Sequence, residues 1–190
     1  MRGVRPFWFG LGADRVAAVR ASHLSQEFDV VSFELTSAMP VEVEVAFDLS
    51  LSIDLHVDSF AGSHEAAIGG TTKGQIELGE FVTWRARHFG RVWTMTSVIT
   101  EWDRPHRFVD EQHKGPFKKF RHEHEFIPVP NGTQMIDYVE FTAPFGPLGW
   151  VAEHVVLDRY LRHLIGVRNT FLIDAATKAG AASSVRDDDE

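Results

Sequence analysis

The stretch Phe108 to Phe126, FVDEQHKGPFKKFRHEHEF, concentrates side chains that can hold or move protons. It reads as two antiparallel strands around a Gly115-Pro116 turn. Phe108, Asp110 and Gln112 share a parity on the first strand, and Phe120, His122, His124 and Phe126 share one on the second. Alternate strand residues point to one face, so one face carries Phe, His, His and Phe together. That mixture fits a cavity wall, apolar in bulk with a few placed polar groups. Several chemistries are open to it. A His with an Asp partner can take and return a proton near neutral pH, which suits cyclisation or dehydration with His122, His124 and Asp137 as the acid–base groups. Two histidines two apart on a strand, with Asp137 as a third donor, also have the makings of a metal set. The same groups can instead orient the polar head of a ligand by hydrogen bonds.

Composition narrows the field. The net charge is −8 and the pI about 5.7, which argues against the basic face a nucleic acid requires. No run of about 18 apolar residues marks a transmembrane helix. Cysteine is absent, so there is no thiolate nucleophile, thiolate metal site or disulfide frame; this agrees with a reducing compartment, and a cytoplasmic location is expected. Arg5, Asp14, Arg15 and Arg20 interrupt the N-terminus, so it does not read as a secretory signal. Fifteen Phe and five Trp can fill a core or line a roomy apolar cavity. GGTTKG, Gly69 to Gly74, lacks the spacing of a phosphate loop; flexibility near a cavity mouth is the better use. Lys118, Lys119 and Arg121 are followed at once by Glu123 and Glu125, the pattern of a solvated strand face.

These groups must be positioned by a predictable set of elements. Val30 to Ser37 reads as a strand. Pro40 opens a helix, and a second short helix follows over roughly Ile53 to Ala61. Glu65 to Gly69 is a weak strand, then Gly70 to Gly79 a loop with Ile76 and Leu78 as anchors. Strands follow over Glu80 to Phe89, Val92 to Trp102, Arg107 to Lys114, Lys118 to Val129 and Thr133 to Thr142. A long amphipathic helix starts at Pro147 and runs to about Lys178, with Arg159, Arg162, Arg168 and Asp158 on its polar side, Gly166 permitting a close approach or a bend, and Gly180 as its stop. This order, strand, two short helices, six strands, long helix, is met by an α+β fold in which a curved antiparallel sheet of about seven strands wraps the last helix. We divide the chain into an N-terminal extension, 1–29, read as either a mobile segment or a short helix, a ligand-binding domain, 30–179, and an acidic disordered tail, 180–190.

The chain resembles the START-like superfamily, also called SRPBCC or birch-pollen-allergen-like, with its helix-grip fold, and more narrowly the bacterial polyketide cyclase/dehydrase-like ligand-binding group. VTWRARHFG (Val82 to Gly90), TSVITEWDRPHRFVDEQ (Thr96 to Gln112), GPFKKFRHEHEF (Gly115 to Phe126) and VEFTAPFGPLG (Val139 to Gly149) carry the resemblance, over roughly Phe33 to Lys178. It implies a cavity between sheet and C-terminal helix, and no metal or other cofactor. It does not choose among lipid and hormone binders, aromatase/cyclases and coenzyme Q-binding proteins.

The Asn131-Gly132 dipeptide is a strong hairpin signal. With those two residues as the loop, Phe126 faces Asp137, His124 faces Val139, His122 faces Phe141, and Glu123 opposes Glu140. Opposed glutamates belong in solvent, which turns Phe120, His122, His124, Phe126, Asp137, Val139 and Phe141 inward. On the preceding strand we place Phe108, Asp110 and Gln112 inward, from the Phe108 spacing and the family pattern; Val109, Glu111 and His113 are the alternative set. Val82, Trp84, Ala86 and His88, then Trp93, Met95, Ser97 and Ile99, complete the wall. The expected function is binding of a small hydrophobic molecule with a polar group. The alternatives are a cyclase- or dehydratase-like lyase using His122, His124 and Asp137, and a protein-interaction module docking through Phe7, Trp8 and Phe9. The oligomeric state is not readable.

Overall fold

A computed structural model describes residues 30–142 and 156–187. The expectations for the N-terminal extension, the Phe7-Trp8-Phe9 patch and the helix start at Pro147 lie outside these residues. Seven strands form one antiparallel sheet: β1 (Val31–Met39), β2 (Ala66–Gly70), β3 (Phe81–His88), β4 (Arg91–Asp103), β5 (Arg107–Lys114), β6 (Lys119–Val129) and β7 (Gly132–Thr142), in the order β1-β7-β6-β5-β4-β3-β2. Two short helices, α1 (Val43–Ser50) and α2 (Ile53–Ser59), and a 3-10 turn, Ala61–Ser63, link β1 to β2; α3 (Asp158–Asp187) follows the sheet. This is the helix-grip arrangement. Bulges in the β4–β5 pairing, at Thr96/Ser97 and Ile99/Glu101, bend the sheet.

Phe47 of α1 is fully buried and meets Trp102, Phe108 and Phe126 edge-on, with centroids 5.2, 5.5 and 5.5 Å away. This arrangement suits the ring quadrupoles. A second cluster joins Phe33, Phe120, Val139 and Phe141 to Leu161 and Ile165 of α3. Both clusters rest on the inner face of the sheet and leave space between them.

Several local expectations are corrected. Helix α1 starts at Val43 with Glu42 as its cap, not at Pro40. Ile76 is buried, but Leu78 is exposed and anchors nothing. Helix α3 continues through Gly180 to Asp187, so Gly180 is not its stop and the stretch to Asp187 is helical. A Cβ on Gly166 would meet nothing within 4 Å, so no close approach explains that glycine.

The β6–β7 hairpin is shifted by two residues from the expected pairing. Val129 pairs with Gly132, so the loop is Pro130-Asn131. Pro at the second turn position and Gly at the fourth are what an ordinary tight turn prefers. Gly132 serves a different purpose, because at φ 134° its absent Cβ makes room for the Met39 carbonyl. The shift places His124 opposite Asp137, His122 opposite Val139 and Phe120 opposite Phe141. Being even, it keeps every side chain on its expected face. Glu123 pairs with Tyr138 rather than Glu140. The outer face is polar because Glu123 meets Arg121 at 2.7 Å and Arg107 at 2.5 Å, while Arg107 also reaches Glu101 at 2.7 Å.

Candidate functional site

The sheet and α3 enclose a cavity of about 490 Å³. Its walls come from every layer: Leu51 and Ile53 near α1 and α2; Val82, Trp84, Ala86 and His88 from β3; Trp93, Met95, Ser97 and Ile99 from β4; Phe108 and Asp110 from β5; Phe120, His122 and His124 from β6; and Tyr160, Leu161, Leu164, Ile165 and Arg168 from α3. Period-two alternation brings these strand residues to one side, so the β3 and β4 sets expected to face inward, and Phe120, His122 and His124 of β6, do meet here. The β5 parity is the one containing Phe108 and Asp110.

Five predicted residues stand elsewhere. Gln112 turns away to clasp Phe117, donating to its carbonyl at 2.8 Å and accepting from its N–H at 3.2 Å. Phe126 is packed under Phe47. Val139 and Phe141 belong to the core between sheet and α3. Asp137 is fully buried behind the histidines.

The polar end of the cavity is a layered network. His122 Nε2 lies 2.9 Å from Asp137 Oδ1. His124 Nδ1 approaches the same oxygen to 2.8 Å. The two rings lie close, centroids 3.8 Å apart, and His124 stacks on Phe108 at 4.2 Å. On the other side Asp110 Oδ2 is 3.4 Å from His124 Nε2 and 3.8 Å from His122 Nδ1. Asp137 Oδ2 accepts from Asn169 Nδ2 at 2.6 Å, and that amide also donates to Ser37 Oγ at 3.2 Å. Arg168 Nη2 donates to the Ser50 carbonyl at 3.0 Å, and Nη1 stands 3.8 Å from Asp137 Oδ1.

Burial, joined by the charge of His124, lowers the His122 imidazole below its ordinary value against the pull of Asp137. For Asp137 burial pushes upward, yet His122 and His124 outweigh it and hold the carboxyl well below the usual range. Asp110 follows the same pattern: burial raises it, and His124 and His122 bring it below the ordinary value. The site thus holds two carboxylates, a neutral His122 and one guanidinium. Such a set can present hydrogen-bond donors and acceptors to a ligand or exchange a proton through His122. Asp110, His122 and His124 also offer ligand atoms that all lie within 4.8 Å of one another.

Residues 30–166 match the family model for polyketide cyclase / dehydrase and lipid transport proteins. The chain belongs to this family. Solved structures with the same fold include the protein TTHA0849 from Thermus thermophilus, 13% identical over 78% of this chain and 99% of that one, with a TM-score of 0.65. The Zhui aromatase/cyclase from Streptomyces sp. R1128 is 12% identical over 78% and 94%, with a TM-score of 0.63. Ara h 8.0201 is 13% identical over 76% and 99%, with a TM-score of 0.55. A comparison with curated proteins finds no match. The START-like (SRPBCC) helix-grip reading is therefore established for this polyketide cyclase/dehydrase family member, and among its described residues no helix is long and apolar enough to cross a membrane.

Sequence reasoning missed Arg168, which it placed on the polar side of α3, and Asn169. Both are buried. The signal was present: they stand three and four residues after Ile165 and four and three before Leu172, in the middle of the apolar stripe. It also missed a second polar pair on the cavity wall. His56 stacks on Trp84 at 4.2 Å and bonds Glu65 at 2.8 Å. At another edge Tyr160 OH meets His88 Nδ1 at 2.6 Å.

Proposed function

We propose that this protein binds a small hydrophobic molecule carrying a polar group, of lipid, polyketide or isoprenoid type, with its apolar body between sheet and α3 and its polar end toward His122, His124 and Asp110. The observation that carries this is the make-up of the cavity: indole, phenyl and aliphatic walls over most of its surface, the Asp110, His122 and His124 cluster on the β5–β6 side, and the smaller His56–Glu65 and His88–Tyr160 pairs elsewhere on the wall. Burying apolar ligand surface there contributes about 25 cal/mol per Å², and the cluster sets orientation. Trp84, Trp93, Met95, Phe108 and Phe120 hold the body in this reading. Native mass spectrometry of freshly purified protein, followed by extraction, tests it together with titration of a fluorescent apolar probe. Ala86→Phe, which fills the cavity from β3, should weaken probe binding at least about tenfold, or about 1.4 kcal/mol. An unchanged affinity in a folded A86F protein, with no co-purifying molecule, would sink the proposal.

A second reading is a cyclase- or dehydratase-like lyase. It is favoured by a neutral His122 backed by a buried carboxylate at the cavity wall, the pairing a general base uses. Asp137 would then act through His122, since it does not reach the cavity itself. Turnover of a polyketide substrate should vanish in His122→Ala and His124→Ala; activity surviving both would remove the acid–base assignment.

A further inference from the structure

The two imidazoles at the polar end have their nitrogens divided in a particular way. One nitrogen of each, His122 Nε2 and His124 Nδ1, lies within 2.9 Å of a single oxygen of Asp137. The other nitrogen of each, His122 Nδ1 and His124 Nε2, faces Asp110 Oδ2, at 3.8 and 3.4 Å. A tetrahedral cation with bonds of about 2.0–2.1 Å spaces its ligand atoms roughly 3.4 Å apart. Metal-bound histidines commonly direct their second nitrogen at a carboxylate, which fixes the tautomer and the ring plane. Asp137 is placed to do this for both rings.

We infer that Asp110, His122 and His124 bind one divalent first-row transition cation, with Asp137 as the buried carboxylate that orients both imidazoles. This ligand set differs from the one the sequence suggested, in which Asp137 was itself the third donor, and it departs from the expectation of no metal. The charges also allow a dication. The groups facing the rings are Asp110, Asp137 and Arg168, so with neutral imidazoles two negative charges stand against one positive. Arg168 stands 3.8 Å from Asp137 Oδ1 and bonds the Ser50 carbonyl. Three protein ligands leave a fourth position open to the cavity, for water or an oxygen of the cavity's occupant. The metal site does not require the cavity to hold an amphiphile, and so goes beyond the proposed function.

The test uses the full chain produced without a histidine tag, stripped with chelator and titrated with Co2+ and then Zn2+. Expected are one equivalent of metal, a dissociation constant at or below about 1 µM, and the visible bands of four-coordinate cobalt. Asp110→Asn and His124→Gln should each weaken binding by about 100-fold or more, and Asp137→Asn by about 10–100-fold. His113→Gln, on the other face of β5, should change nothing. The unaltered protein alone can overturn the inference: no cobalt bands, or binding weaker than about 100 µM, removes it. So does binding that is equal in folded D110N and H124Q. Apolar-probe titration of the stripped protein separates the two ideas. Probe binding without zinc binding leaves the hydrophobic cavity and removes the metal; zinc binding without probe binding supports the metal and removes the amphiphile.

Discussion

Asp137 decides the energetics of the polar cluster. It is fully buried and touches His122, His124, Asn169 and, at longer range, Arg168. Removing one partner of a buried charged network leaves the others uncompensated, at a cost of about 3–5 kcal/mol. Asp137→Ala should therefore lower the unfolding free energy by about that amount in urea titration, and a loss under about 1 kcal/mol would mean the network is not cohesive. The sign of the acid response follows from the same groups. In chelator-treated protein His122 holds its proton less tightly than an unfolded histidine, mainly because it is buried. As pH falls through about 6.5 the unfolded chain gains a proton that the native state declines, so stability drops there by at most about 1.4 kcal/mol per pH unit for that proton. The depressed Asp137 and Asp110 carboxyls add a further loss below about pH 4. His122→Gln should flatten the slope between pH 7 and 5; an unchanged slope would reassign it. The histidines and Asp137 followed from strand parity and the opposed glutamates, whereas the Asp110 side of β5 was chosen from the Phe108 spacing and the family pattern. Arg168 was missed, because a charged residue on a helix is assigned to solvent by type even where its spacing says otherwise.

Strand alternation proved more robust than loop chemistry at the scale of elements. The β6–β7 register was displaced by two residues because Asn131-Gly132 was credited with the turn that Pro130-Asn131 makes, yet all inward residues stayed inward. What the slip concealed was who faces whom: His124, not Phe126, sits across from Asp137. Two glycine substitutions separate local from tertiary roles. Gly132→Ala combines a left-handed φ with a collision at the Met39 carbonyl and should destabilise by about 1–3 kcal/mol. Gly166→Ala, in open space on α3, should stabilise by about 0.5–1 kcal/mol. Thermal melts of the two variants should move in opposite directions. The end of α3 was misjudged because Gly180 was taken as a cap; its neighbour is the Pro40 carbonyl, at 3.3 Å from where a Cβ would stand. The absent side chain serves packing against the segment between β1 and α1.

For the whole molecule, the order of elements carried the fold: one strand, two short helices, six strands and a long helix leave few other arrangements with a shared core. The cavity's contents were less legible, since apolar residues lining a space and apolar residues filling one have the same pattern. Phe126, Val139 and Phe141 fill, while Trp84, Trp93 and Phe120 line. An occupant that binds only the folded chain stabilises it by mass action, about 2.7 kcal/mol at a hundredfold excess over its dissociation constant, so a ligand screen by melting temperature reads the cavity directly.

The hydrogen bond from Arg168 to the Ser50 carbonyl has a consequence for how such an occupant would be sensed. Arg168 and Asn169 are neighbours on one turn of α3, and between them they hold α1 through Ser50, β1 through Ser37 and β7 through Asp137. The wall that meets the ligand is thus also the latch that seats the helix. By thermodynamic reciprocity, whatever binds the latched form more tightly must make the unlatching of α3 less favourable, and whatever loosens the helix must weaken the grip. Backbone amide exchange along the middle turns of α3 would report occupancy from a distance, without a label on the ligand.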